Sequence, residues 1–420
     1  MFSNSVRFDL SDWLIHFFRD IDLESTNSII FPEHMGWENI AEDTKYSSLF
    51  MLRCAVRSGR LWATWSYRNN RRTIYGSSPV VCFTEMPLAA FLESSEYRYM
   101  RGETMSQFAL VFQKKDLYKI NANPVIYGLD DRQYQPPAGK NGEARIIDAR
   151  ILQENEQYRY VTYNPASNKP IDWSHEREWR WPYRGSYSSV ENYLEEYGVL
   201  EDILSLPGLD FYTYDTHDMG VVVKNEKQAS WIIHDILSLV DRNIIGDTQY
   251  KFILVADRLP PAPQLINPEA ISDAISKSII DLEPFFLYDQ CALKHLSEEL
   301  SRFVTQIENE SPPPENGEYG GCWLWILDNT SKFLRTLLHS DRIVVSDSGK
   351  YLVNLYEFSD SRSLRQREEM TRKLANLLSS RYEIECGYFS VLNSDNPNAL
   401  PFYNDNHIDN HMYYNVSWEY

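Results

Sequence analysis

Apolar positions along the chain recur with two periods, close to two and close to three or four residues, and each period predicts a type of element. The run WLIHFF (13–18) is apolar and rich in strand formers, so it predicts an early strand carrying His16, Phe17 and Phe18. In KYSSLFMLRCAVRSGRLW, Leu49, Leu52, Ala55 and Val56 recur at helical spacing and Gly59 supplies the stop. PVVCFTEMPL (79–88) predicts a strand ended by Pro87, with Val81, Phe83 and Glu85 on one face and Cys82 and Thr84 on the other. QFALVFQKKDL and NPVIYGL predict two more strands, and the turn formers of 130–145 predict a loop.

Between 190 and 260 the pattern alternates as helix and strand: VENYLEEYGVLEDIL, MGVVVKN, QASWIIHDILSLVD and YKFILVAD. In the third of these, Trp231, Ile232, Ile236 and Leu239 form an amphipathic face. RLPPAPQL (258–265) breaks regular structure, 268–309 reads as a mainly helical connector, and SPPPENGEYGG (311–321) reads as a semi-rigid linker. Beyond it, GGCWLWILD, RIVVSDSGKYLVNLYEF, the basic helix LRQREEMTRKLANLLSS and an aromatic tail predict a compact region of their own. The chain thus divides into 1–257, a connector and linker at 258–317, and 318–420, and its mixture of elements predicts an α+β fold.

The densest chemistry lies in WSHEREWRWPY (173–183). Read as a strand, it points Glu176, Glu178 and Arg180 one way and Arg177, Trp179, Trp181 and Tyr183 the other. A spacing of two residues sets the carboxylates about 7 Å apart. Two such groups can divide the work of glycosyl transfer, one stabilising positive charge at a sugar carbon and the other accepting a proton. The same pattern also fits a surface strand whose glutamates pair with arginines. His16 can meet a ribose hydroxyl or be a satisfied core histidine, and Thr84 with Glu85 can belong to a site or to a strand terminus and cap. Asp405, His407, Asp409 and His411 in the tail are metal-ligand types. Histidines four apart converge only on a helix, which this asparagine-rich stretch forms poorly, so a solvated loop and no metal are expected.

Composition narrows the classes. The 420 residues predict two or three domains, and 43% hydrophobic residues with 28 tyrosines, 19 phenylalanines and 11 tryptophans predict ordered cores. A net charge of −19 opposes non-specific attraction to nucleic acid or anionic membrane. Five cysteines without a C-x-x-C pattern fit reduced thiols in a cytoplasmic protein. The start MFSNSVRFDLSDW has no apolar signal core, and no window approaches 18 uncharged apolar residues, so neither secretion nor a membrane span is expected.

The order of the pieces resembles the AbiGi-like abortive-infection family over roughly residues 10–255. The resemblance rests on His16-Phe17-Phe18, on Cys82 to Leu88, on Phe112-Gln113-Lys114 with Pro124-Val125-Ile126-Tyr127, and on Glu176 to Arg180. Residues 318–420 resemble uncharacterised extensions of such domains, marked by GGCWLW and GYFSVLNSDNPNALPFY. More distantly, the layout is similar to the ADP-ribosyltransferase superfamily, in particular its DarT-like members. The resemblance implies an ADP-ribosyltransferase-like split β-sheet core with flanking helices and NAD as substrate. It further implies Glu178 as catalytic glutamate, Glu176 as a second one, His16 and Phe17 at the NAD-binding position, and Thr84 and Glu85 on the nicotinamide side. Tyr75 would be the central tyrosine, and Arg71, Arg72 or Arg180 would hold the pyrophosphate. FFR stands here where the family has FT.

The function so implied is an anti-phage toxin or effector that transfers ADP-ribose to a nucleic-acid or protein acceptor. A C-terminal sensing or targeting domain would answer to a phage protein trigger or an antitoxin partner. A different class, a catalytically silent antitoxin or phage sensor with a nucleotide-binding cleft, fits the same family. A metal-dependent nuclease using Glu176 and Glu178 lacks the upstream aspartate and following lysine such sites pair with.

Overall fold

The computed structural model of the protein describes residues 11–22, 45–68, 71–101, 105–129, 144–166, 168, 170–189, 207–214, 216–265 and 267–404. The loop expected at 130–145 up to residue 143, the helix expected at 190–204 and the tail residues Asp405, His407, Asp409 and His411 lie outside them. Two compact units divide the chain, one from residues up to 229 and 248–281, the other from 230–247 and 282–416.

An eight-stranded mixed sheet organises the first unit. Its strands are β1 (Trp13–Phe17), β2 (Val80–Thr84), β3 (Ala109–Gln113), β4 (Asn123–Pro124), β5 (Glu178–Pro182), β6 (Met219–Val223), β7 (Tyr250–Val255) and β8 (Ile279–Asp281). The spatial order is β8-β7-β6-β3-β1-β2-β5-β4, and every pair is antiparallel except β6 with β7. All five residues of β6 are buried, as expected of a central strand covered on both faces. Helices α1 (Ser48–Ser58), α2 (Leu88–Met100) and α4 (Pro268–Ser278) belong to this unit, and α3 (Glu226–Asp241) passes at Ser230 into the second. Ile15, Val111, Val222 and Leu254 of the sheet pack with Phe91 of α2 and Ala274 of α4 in one core.

Local chemistry sets the ends of these elements. The Ser47 hydroxyl accepts the Phe50 N–H at 3.2 Å at the start of α1, and Gly59 ends the helix at φ 67°. A Cβ at Gly59 would lie 2.1 Å from the Tyr212 ring, so both the turn and the close approach require glycine. β2 stops at Thr84, short of the end at Pro87 that the sequence implies, which leaves Glu85 outside the strand; Pro87 serves instead as the N-cap of α2, a helix the apolar pattern did not reveal. The strand expected through QFALVFQKKDL stops at Gln113, and Lys114–Lys119 turn as a short helix. β8, inside the stretch expected to be helical, pairs with β7 at the edge of the sheet.

The second unit carries a five-stranded antiparallel sheet of β9 (Gly320–Ile326), β10 (Ile343–Val345), β11 (Tyr351–Val353), β12 (Cys386–Leu392) and β13 (Tyr403–Asn404). Its order is β10-β11-β9-β12-β13. Helices α5 (Gln290–Glu310), α6 (Lys332–Leu337) and α7 (Leu364–Tyr382) accompany it. Leu300, Val304 and Ile307 of α5 share a core with Leu324 of β9, Leu334 of α6 and Leu374 of α7. The proline-rich stretch after α5 therefore runs inside this unit. A Ser363–Gln366 capping box opens α7. Helices and sheets in both units make the protein α+β.

Candidate functional site

The two glutamates come from different local structures. Strand β5 begins only at Glu178, while Ser174–Glu176 form a 3-10 turn and Arg177 adopts left-handed angles of φ 43° and ψ 51°. The strict alternation expected over WSHEREWRWPY thus holds from Glu178 onward, and Glu176 is not its strand neighbour. Long-range hydrogen bonds account for this. The Thr84 hydroxyl donates to the Glu176 carbonyl at 2.5 Å, the Glu85 N–H donates to the Arg177 carbonyl at 3.1 Å, and the Val125 N–H donates to the Glu178 carbonyl at 3.0 Å. Asp172 accepts the Ser174 N–H at 2.9 Å and fixes the start of the turn.

Both carboxylates nevertheless line one cleft with an internal volume of about 300 Å³. His16, Phe17, Thr84, Glu176 and Glu178 of the expected site residues meet there. Arg72, Tyr75, Glu85 and Arg180 are not in its lining. Arg180 is 5% exposed and stands behind Glu178. Its Nε and Nη2 donate to the two Glu178 carboxylate oxygens at 2.7 and 3.1 Å, and its Nη1 donates to the carbonyls of Tyr158 and Tyr160 at 2.6 and 3.2 Å. Glu85 accepts from Lys114 Nζ and from Trp179 Nε1, both at 2.8 Å. Tyr75 is buried beneath the Arg145 guanidinium, 3.9 Å from its ring, with its hydroxyl 3.2 Å from Thr162 Oγ1. The Arg72 guanidinium lies 3.7 Å over the Trp65 ring.

Protonation follows from these surroundings. His16 Nδ1 is 2.8 Å from the Cys82 carbonyl, which can only accept, so Nδ1 carries the proton and Nε2 is left as an acceptor. Burial, assisted by the charge of Arg19 and opposed by that hydrogen bond, lowers the His16 pKa to about 4. The ring is neutral near pH 7 and meets Phe18 and Phe83 edge-on at 5.0 and 5.8 Å. Burial and then the charge of Glu178 push the Glu176 carboxyl above its ordinary range, against the pull of Arg98, whose Nη1 is 3.0 Å from its Oε1. Burial and the neighbouring Glu178 push the Cys82 thiol well up, so it stays protonated. The cleft therefore offers a neutral acceptor on an imidazole, aromatic walls and two carboxylates held by different cations.

Several residues at this cleft escaped the sequence reading. Arg98 belongs to the unrecognised α2, and Arg19, Arg60 and the α1 residues Cys54 and Ser58 line the cleft without any motif to mark them. Helical spacing identified α1 but could not say what its residues face.

Residues 289–416, under a third of the chain and within the second unit, match the family described as Protein of unknown function (DUF4427). No curated protein and no solved structure matches the chain. Among the described residues, no helix is long and apolar enough to cross a membrane, and no group of three or more His, Cys, Asp or Glu side chains could hold a metal ion.

Proposed function

We propose that the first unit has an ADP-ribosyltransferase-like core that binds NAD and transfers its ADP-ribose to a nucleic-acid or protein acceptor, as a toxin or effector of anti-phage defence. The observation that carries this reading is Glu178, which opens β5 on the same cleft as His16 of β1 and is gripped from behind by Arg180. About 300 Å³ is at the low end of small-ligand pockets. It suits the nicotinamide and its ribose, with the remainder of the dinucleotide toward the open side. Phe17 and Phe83 supply flat apolar walls, and the His16 Nε2 lone pair accepts a ribose hydroxyl.

In this mechanism the Glu178 carboxylate accepts a hydrogen bond from the nicotinamide ribose and stabilises the positive charge that grows on the anomeric carbon as the C–N bond breaks. The bonding electron pair leaves with nicotinamide. Glu176, with its raised pKa, accepts the proton of the incoming nucleophile. The second unit serves as the sensing or targeting part, answering to a phage protein trigger or an antitoxin. The test is nicotinamide release from NAD, with and without cell lysate, by the full chain and by Glu178→Gln. Turnover that the substitution abolishes supports the assignment, and turnover that it leaves intact removes it.

One observation favours a second reading. Both carboxylate oxygens of Glu178 are engaged by Arg180, which also fits a catalytically silent nucleotide-binding protein. In that case NAD binds and nicotinamide is never released.

A further inference from the structure

We propose that Tyr127 is a positioning residue for the two cleft carboxylates, its hydroxyl closing the turn that carries Glu176 and Glu178; the proposal rests on the transferase reading above and deepens it. That hydroxyl donates to the Trp173 carbonyl at 3.2 Å and accepts the Glu178 N–H at 3.5 Å, so one group with one proton joins the two ends of the turn. Within the turn, the Glu176 N–H donates to the Trp173 carbonyl at 3.1 Å and the Arg177 N–H to the Ser174 carbonyl at 3.2 Å. Neither of these bonds spans 173 to 178, and Arg177 holds left-handed angles that disfavour a side chain. Such a turn keeps one shape only where contacts from outside over-determine it.

Tyr127 acts from behind the cleft, since both glutamates line it and Tyr127 does not. It lies in a parallel ribbon, Ile126–Tyr127 paired with Tyr160–Val161. The same ribbon and its approach hold Glu178 at two further points. The Val125 N–H donates to the Glu178 carbonyl at 3.0 Å, and the Tyr160 carbonyl accepts Arg180, whose guanidinium grips the Glu178 carboxylate. Tyr127 adds the link from this ribbon to Trp173, and with Thr84 on the Glu176 carbonyl it fixes where the first glutamate enters the cleft. Burial, and then the charges of Glu178 and Glu176, push the Tyr127 phenol above its ordinary value against the pull of the Glu178 N–H, so it remains a donor wherever the carboxylates titrate. The charges that bear on the Glu176 carboxyl are those of Glu178 on β5, Arg98 on α2 and His175 in the turn, and their distances from it change if the turn opens.

The experiment compares the full chain with Tyr127→Phe, which keeps the ring and removes the hydroxyl. It reads kcat and KM of nicotinamide release from NAD across pH, the titration of the Glu176 carboxyl by carbon NMR, assigned with Glu176→Gln, and a melting curve. The expected result is a kcat lower by about 10-fold or more, the scale of a slightly misplaced reacting group, with KM within about 2-fold of the wild type. As the turn loosens, Glu176 relaxes toward the ordinary carboxylate value, so the acid limb of kcat and the NMR titration both move to lower pH. Tyr127→His, which keeps a ring donor, should recover part of kcat, and it is read by the same criteria if Tyr127→Phe does not fold. Wild-type kcat with an unmoved Glu176 titration overturns the positioning role and leaves the transferase standing. A lower kcat with an unmoved titration marks general damage and overturns the role as well. If the wild type releases no nicotinamide, the transferase fails and the Glu176 titration decides: a downward shift in Tyr127→Phe supports the positioning role, and an unmoved one overturns it.

Discussion

Glu178 and Arg180 lie two residues apart on one face of β5, and the guanidinium holds both carboxylate oxygens, at 2.7 and 3.1 Å. Arg180 also satisfies two backbone carbonyls, so one buried side chain ties the cleft carboxylate to the segment around Tyr158 and Tyr160. Arg180→Met should leave that carboxylate without its cation and those carbonyls without their donor, at a cost of about 3–5 kcal/mol. Arg180→Lys keeps a charge but not the fork and should cost less. Urea denaturation measures both, and a neutral Arg180→Met would remove the structural role.

Acid should weaken the fold through His16. Its folded pKa is about 4, below the value near 6.5 of an unfolded histidine, so between those values the unfolded chain binds more protons. Stability therefore falls as the pH is lowered through that window, by at most about 3 kcal/mol for the full shift. His16→Gln, which keeps a donor for the Cys82 carbonyl, should flatten the dependence. Denaturation midpoints at pH 4.5 and 7 read it out, and equal losses in both proteins would contradict a neutral buried ring.

Glu176 works in the opposite sense. Its carboxyl titrates above its unfolded value, so the unfolded chain holds fewer protons through the carboxylate range and ionising Glu176 costs stability as the pH rises. Glu176→Gln should gain on the wild type between pH 4 and pH 7, whereas Arg98→Ala should lose about 1 kcal/mol at pH 7 through the missing ion pair. Stability curves for the variants across that range are the check. A Glu176→Gln protein that loses ground as the pH rises would show that Arg98 outweighs burial.

Arg177 offers a backbone test. At φ 43° it occupies a region that glycine enters freely and β-branched residues do not. Arg177→Gly should stay within about 1 kcal/mol of the wild type and Arg177→Val should lose about 1–2 kcal/mol. If the turn delivers Glu176 to the cleft, Arg177→Val should also impair ligand binding more than its stability loss explains.

These residues also show what the sequence made legible. β1, β2, β6, β7 and β9 were readable because each is a short apolar run of strand formers, and α1, α3 and α7 because apolar residues recur at helical spacing. α2 was hidden because LAAFLESSEYRYM directly follows an apolar strand and carries only a weak apolar stripe. β8 was hidden because three residues are too few to show a period. The period-two pattern of WSHEREWRWPY is broken by Thr84 and Glu85, more than 90 residues earlier in the chain, and no local pattern records their hydrogen bonds. For the same reason His16, Glu176 and Glu178 could be named from the sequence while Arg98, Arg19 and Arg60 could not.

The most direct measurement is release of nicotinamide from NAD by the full chain, set beside Glu178→Gln verified as folded by its melting curve. The account predicts release by the wild type, in the presence of lysate if an acceptor is required, and a loss of at least about 100-fold in the variant, the scale of one electrostatic contact to the transition state. Equal release by the two proteins would contradict it.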